Sequence, residues 1–219
     1  MVLLLTSQGL PPELKETFLR VIPKSPHKLN VAFITTAAYG DNAKRPEWLD
    51  VNYKQLQNYG ITEIEELDIR YKTKQDLEKI LEKKDIIFIN GGNTFFLLFW
   101  IRKTGLDTLI PQLIHKGKLY IGVSAGSYIA CPNIEQATWK HQDRNRFGVT
   151  DLTALNLVPF LITAHFNEEY RPILEKAIKT VKFPVVALYD TQAILVKDGK
   201  WKLEGKGNKE FFNNFQETL

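Results

Sequence analysis

Leu119-Tyr-Ile-Gly-Val-Ser-Ala-Gly-Ser-Tyr-Ile-Ala130 is the stretch that decides the fold. Its first half is an unbroken apolar run of strand length, as expected of a strand covered on both faces of a parallel sheet. Small residues follow, and then a segment compatible with a helix. Gly122, Ser124 and Gly126 form G-x-S-x-G within this order of strand, tight turn and helix. In that context the serine hydroxyl projects above the sheet. Gly122, Ala125 and Gly126 let the chain turn sharply and let the helix approach the strand. The same turn aims the Ala125 N–H at a reacting carbonyl, and the helix start offers positive potential to a developing oxyanion. The bland alternative is a Gly/Ser-rich turn that only joins a strand to a helix.

A second loop, Asn90-Gly-Gly-Asn-Thr94, argues against that alternative. It lies at the end of the preceding apolar run and leads into another helical segment. Its glycines free the backbone to approach a ligand, so an N–H from Gly92 or Asn93 can complete an oxyanion hole with Ala125. Sites in open α/β sheets form beyond the carboxyl ends of the strands, where both loops fall. Phosphate binding at Gly91-Gly92 is a weaker reading, because neither G-x-G-x-x-G nor a Walker pattern is present.

Working outward, short apolar runs alternate with segments of helical period. Strands are predicted at Val2–Leu5, Asn30–Thr35, Glu63–Asp68, Asp85–Asn90, Leu119–Val123, Leu161–Ala164, Val185–Tyr189 and Ala193–Lys197. Helices are predicted at Pro12–Val21, Pro46–Tyr59, Lys74–Lys83, Thr94–Arg102, Leu106–His115 and Glu168–Thr180. Asp198-Gly199 between Ala193–Lys197 and Lys200–Leu203 predicts a hairpin at a sheet edge. The fold class is α/β: a three-layer α/β/α arrangement with a mostly parallel, doubly wound sheet. No repeat or linker divides the chain, so one domain spans residues 1–219.

Composition narrows the function classes. Hydrophobic residues at 44% and charged residues at 25% are globular values. The net charge of +4 comes from Lys and Arg interleaved with Asp and Glu, which reads as solvated helix faces and not as a nucleic-acid surface. A single cysteine, Cys131, permits no intrachain disulfide, and no apolar run approaches a membrane span. A cytoplasmic location is expected, with small peptides as partners, no nucleic acid and no membrane. A homodimer is left open. No cofactor is expected and no metal, since no histidine pair has ligand spacing.

An activated serine needs a base. Of His27, His115, His141 and His165, only His165 follows an apolar run, Pro159-Phe-Leu-Ile-Thr-Ala164, at a strand's carboxyl end where Ser124 emerges. His141 is second. The carboxylate that fixes the histidine tautomer is open among Glu135, Asp143, Asp151, Glu168 and Asp190.

At these residues the chain resembles the peptidase E and cyanophycinase family of serine peptidases, whose fold is similar to class I glutamine amidotransferases with serine in place of cysteine. The matching segments are Asn90-Gly-Gly-Asn-Thr-Phe95, Gly122-Val-Ser-Ala-Gly-Ser127, Asp151-Leu-Thr-Ala-Leu-Asn-Leu157 and Ala164-His-Phe166. The resemblance implies Ser124 as nucleophile, His165 as base, and Gly92 and Ala125 as oxyanion donors. In the aspartyl dipeptidase branch the acid lies a little over twenty residues before the histidine, which implies Asp143. The chain departs from that branch in its longer segment Gln136-Ala-Thr-Trp-Lys-His-Gln142. Cleavage after an N-terminal aspartate would need a cation, for which Arg144, Arg146 and Arg171 are candidates, with Asn93 beside the substrate. The expected function is hydrolysis of small peptides, including dipeptides with N-terminal aspartate, through an acyl-enzyme. The rivals are an esterase or amidase of the same fold and a non-catalytic ligand-binding domain.

Overall fold

A computed structural model describes residues 1–41, 44–140 and 143–219. In chain order the elements are β1 (Val2–Thr6), α1 (Lys15–Val21), β2 (Asn30–Ile34), α2 (Glu47–Asn58), β3 (Glu63–Leu67) and α3 (Lys74–Leu81). Then come β4 (Ile86–Ile89), α4 (Thr94–Thr104), α5 (Leu106–His115), β5 (Leu119–Val123) and α6 (Ala125–Ala130). The last third carries β6 (Leu161–Thr163), α7 (Arg171–Ala177), β7 (Val185–Ala187), β8 (Gln192–Lys197), β9 (Lys200–Gly205) and β10 (Glu210–Phe212).

Among the described residues, seven strands form the main sheet in the order β3-β2-β4-β5-β1-β8-β9. The first five run parallel, while β8 is antiparallel to β1 and β9 to β8. Strand periodicity sends alternate side chains to opposite faces. Leu3 and Leu5 of β1 accordingly join the core built from α3, α4, α5 and α6. Leu4 joins the core under α1 and α2, with Phe18, Leu49 and Leu56. Every residue of β4 and β5 is buried because both faces are covered. The edge strand β3, Glu63-Ile-Glu-Glu-Leu67, is charged and mostly solvent-facing, which discourages further pairing.

The Asp198-Gly199 hairpin forms as read. Both residues have positive φ, 51° and 78°, and Lys197 faces Lys200 across the turn. This fits the primed turn that the right-handed twist of paired strands favours. One difference bears on the site. The runs at Leu161 and Val185 do not extend the main sheet: β6 and β7 pair parallel with each other, and β10 completes a separate small sheet in the order β10-β7-β6. The place beside β1 is taken by β8, whose five-pair antiparallel register leaves β6 no edge there. The segment 168–180 also splits into a 3-10 turn, α7 and a second 3-10 turn.

Candidate active site

The carboxyl ends of β4, β5 and β1 lie side by side, with Ile89 opposite Gly122 and Thr6 opposite Val123. Ser124 leaves β5 there with φ 49° and ψ −107°, a conformation that costs a non-glycine residue on the order of 1–3 kcal/mol. The surroundings hold it in place. The Ser124 N–H donates to the Thr6 carbonyl at 3.0 Å, and the Ser124 carbonyl accepts from the Ser127 and Tyr128 N–H groups at 2.8 and 2.9 Å. Ser127 Oγ lies 2.8 Å from both the Thr6 and Gly122 carbonyls. A Cβ at Gly126 would run into the Ile89 carbonyl, so only glycine lets α6 start this close to β4.

The Gly91-Gly92 loop packs onto Ser124: a Cβ built on Gly91 would sit 3.2 Å from that of Ser124. Gly92 has φ 127°, and a side chain there would collide with the Ala37 carbonyl. That carbonyl accepts the Asn93 N–H at 2.9 Å. The Asn93 N–H, expected as the alternative to Gly92, is thereby committed to the fold. Ala125, as the first residue of α6, has no carbonyl four residues back within its helix, so its N–H is the other donor available. Buried Asn93 caps α4 through Oδ1 to the Phe96 N–H, and its Nδ2 donates to Asp41 and to the Arg144 carbonyl.

His165 follows β6 with φ 54°, another left-handed non-glycine residue. The carboxylate on its ring is Asp190, with Oδ1 2.7 Å from Nδ1. Asp143, expected at that position, instead accepts the Thr94 N–H at 2.9 Å at the start of α4. The physical reason is local. A free N–H and the positive end of α4 meet Asp143 first, whereas the parallel pairing of β6 with β7 carries Asp190 to His165. The other acids are spent elsewhere: Glu135 accepts from Asn133, Asp151 pairs with Arg102, and Glu168 pairs with Arg171. His27 lies in a 3-10 turn and His115 ends α5, while His141 falls outside the described residues.

Environment drives the two aspartates apart. Burial raises the pKa of Asp143, and the Thr94 hydrogen bonds do not fully oppose it. Burial also acts on Asp190, but the His165 hydrogen bond and charge, the Ser7 hydroxyl and Lys140 together hold it below the usual carboxylate range. Two groups absent from the sequence reading hold His165 in place. Ser7 Oγ accepts the His165 N–H at 2.7 Å, and Lys140 Nζ donates to the Ala164 and His165 carbonyls. Ser7 could have been found, since it is the first residue past a strand adjacent to the one that delivers Ser124. Nothing in the polar segment around Lys140 marks it out.

Burial lowers the Lys140 pKa to about 8, against the opposing pull of Asp190. A base whose folded pKa lies below its unfolded value of 10.5 binds fewer protons in the folded state between those two values. Lys140 should therefore add stability as pH rises through that window. Lys140→Met is expected to flatten the rise between pH 8 and 10, measured by urea unfolding; an unchanged slope would refute the buried-ammonium assignment.

A cleft of about 410 Å³ opens over Ser124, walled by Gln8, Asp41, Trp48, Asn93, Asp143 and His165 among others. A smaller pocket that shares Ser124, Asp143 and His165 with this cleft is lined also by Lys140, Gln136 and Tyr128. The three arginines expected to bind substrate line neither. Arg171 is paired with Glu168 and Glu210, and Arg144 and Arg146 are exposed. Among the described residues no His, Cys, Asp or Glu group is arranged to hold a metal ion, and no helix is long and apolar enough to cross a membrane.

Comparison with known proteins meets this geometry. Residues 3–204 match the model of peptidase family S51. The chain belongs to that family. Within family S51 it is 34% identical over 170 residues to an uncharacterized peptidase of Listeria monocytogenes, covering 76% of this chain and 82% of that one. It is 32% identical over 145 residues to peptidase E of Salmonella newport, covering 64% of this chain and 63% of that one. The crystal structure of a protein assigned to peptidase E from Listeria monocytogenes superposes with a TM-score of 0.81 at 30% identity, covering 94% and 98% of the two chains. A peptidase from an acI-B1 actinobacterium shares the fold at a TM-score of 0.73 and 17% identity, covering 99% of this chain and 92% of that one. The mostly parallel sheet covered by helices, matched by the Listeria structure, bears out the expected α/β fold, and the S51 assignment makes the chain a serine hydrolase of the peptidase type.

Proposed function

We propose that this S51 peptidase hydrolyses small peptides with a free amino terminus, through an acyl-enzyme on Ser124. The observation that carries the reading is the strained Ser124 at the head of α6, sharing one cleft with a His165 whose Nδ1 is hydrogen-bonded to a carboxylate. Ser124 Oγ attacks the scissile carbonyl, and His165 Nε2 takes its proton and delivers it to the leaving amine. Asp190 keeps Nδ1 protonated and stabilises the imidazolium, while the Gly92 and Ala125 N–H groups receive the oxyanion. Water then attacks the acyl carbon, with His165 accepting its proton, and the Ser124 ester breaks. The cleft walls carry Asp41 and Asp143 beside the nucleophile, which favours the α-ammonium of an N-terminal residue. For an N-terminal aspartate, the cation in the pocket shared with Ser124 and His165 is Lys140, in the role that the sequence reading gave to an arginine. A cytoplasmic location accompanies this reading.

The test is hydrolysis of aspartyl p-nitroanilide and a panel of X-Leu dipeptides, each with and without N-terminal acetylation. Turnover of the free-amine substrates, lost on acetylation, is expected. Equal cleavage of acetylated substrates or of simple aryl esters would replace the exopeptidase with a general esterase or amidase.

A further inference from the structure

The end of β1 carries a buried hydroxyl that none of these steps uses. Ser7 is fully buried and follows Thr6, whose carbonyl receives the Ser124 N–H. Its own N–H donates to the Gln192 carbonyl at 3.1 Å, so the side chain starts from a fixed point. Ser7 Oγ accepts the His165 backbone N–H at 2.7 Å. Its single hydrogen has two acceptors within reach, Asp190 Oδ1 at 2.9 Å and the Leu188 carbonyl at 3.2 Å. The carboxylate is nearer and charged, and hydrogen bonds to ionised acceptors are the stronger kind. Asp190 Oδ1 is also the atom that faces His165 Nδ1. The contacts close a ring, from the His165 N–H to Ser7, from the Ser7 hydroxyl to Asp190, and from Asp190 back to the His165 imidazole.

We propose that Ser7 is a positioning residue for catalysis, holding the backbone of His165 and the carboxylate that aims its ring with one hydroxyl. The inference rests on the serine-peptidase reading above. The Asp190 side chain is 49% exposed and that of His165 39%, so packing alone does not fix either group. Lys140 cannot substitute, because it is a donor that binds the carbonyls of Ala164 and His165 and cannot accept the His165 N–H, which Ser7 does. Ser7 also sits on the same strand end as the acceptor for Ser124. The tip of β1 thus sets nucleophile, base and acid relative to one another, which small errors of geometry would otherwise degrade.

The experiment is a double-mutant cycle of Ser7→Ala and Asp190→Asn. It is read by kcat and KM on a cleaved dipeptide and by the rate at which a fluorophosphonate labels Ser124. Ser7→Ala is expected to lower kcat and the labelling rate by about 10- to 100-fold with KM within about twofold. In the Asp190→Asn background the same change should cost at least about threefold less, since the charged carboxylate is gone and only the contact with the His165 N–H remains to be lost. A merely structural serine would lower Tm and give equal losses in both backgrounds. Ser7→Cys, which keeps a weak hydrogen-bonding atom at the same place, carries the cycle if Ser7→Ala does not fold. Additive losses, or wild-type kcat in a folded Ser7 variant, would overturn the proposal. Wild-type protein that neither labels nor hydrolyses would instead remove the serine-peptidase reading itself.

Discussion

Ser124→Ala should abolish fluorophosphonate labelling and lower peptide turnover by about three to six powers of ten, while the protein melts no lower than wild type. The first half follows from chemistry. Without Oγ there is no acyl-enzyme, and the Gly92 and Ala125 donors retain only the catalysis available to a positioned water. The second half follows from the backbone. Ser124 holds φ 49° and ψ −107°, and no side-chain hydrogen bond caps α6 at this position. The hydroxyl therefore contributes function and not fold. Ser124→Gly extends the argument, because glycine occupies positive φ without the steric penalty. If the strain is stored as the angles indicate, this variant should match or exceed wild-type Tm despite its more flexible unfolded chain. A marked loss of stability in both variants would show that the elbow is not strained, and retained turnover would move the nucleophile elsewhere.

The parts of the site legible in the sequence are those encoded locally. Gly122 to Gly126 specify a turn by themselves, and the Asn90-Gly91-Gly92-Asn93 loop needs only its own glycines and the Asn93 cap to Phe96. His165 was legible because its strand is an apolar run with an abrupt end. The acid was not. Asp190 reaches His165 only through the parallel register of β6 on β7 and the Phe166 N–H to Leu188 carbonyl bond at 2.9 Å. Pairings made in a separate small sheet leave no trace in spacing. Counting back from His165 finds Asp143, which is beside the site in space but is turned to Thr94. The arginines misled for a similar reason: Arg171 looks available until Glu210, thirty-nine residues away, pairs with it.

Asp190→Asn and Asp143→Asn should separate in both activity and stability. Asparagine at 190 cannot accept the Nδ1 proton as a charged partner and leaves the imidazolium unstabilised, so kcat should fall by about two to four powers of ten. Asparagine at 143 can still accept the Thr94 N–H through its carbonyl oxygen, so kcat should stay within about threefold while KM rises with the loss of a charge facing the α-ammonium. The stabilities should move in opposite directions at neutral pH. Asp190 has a folded pKa below its unfolded value, so its ionised form stabilises the fold above that unfolded value and the contribution is lost as pH falls through the folded one. Removing the charge should lower Tm at pH 7, with the deficit shrinking toward pH 3. The folded pKa of Asp143 is raised by burial, so its ionised form is disfavoured in the fold at neutral pH. A neutral amide relieves that cost and should raise Tm at pH 7, an advantage that also fades as acid protonates the wild-type carboxyl. Thermal melts of both variants from pH 3 to 7 read the signs directly. If Asp143→Asn instead loses turnover by powers of ten and Asp190→Asn does not, the acid that serves His165 during catalysis is Asp143, and its contact with the Thr94 N–H must break when substrate binds.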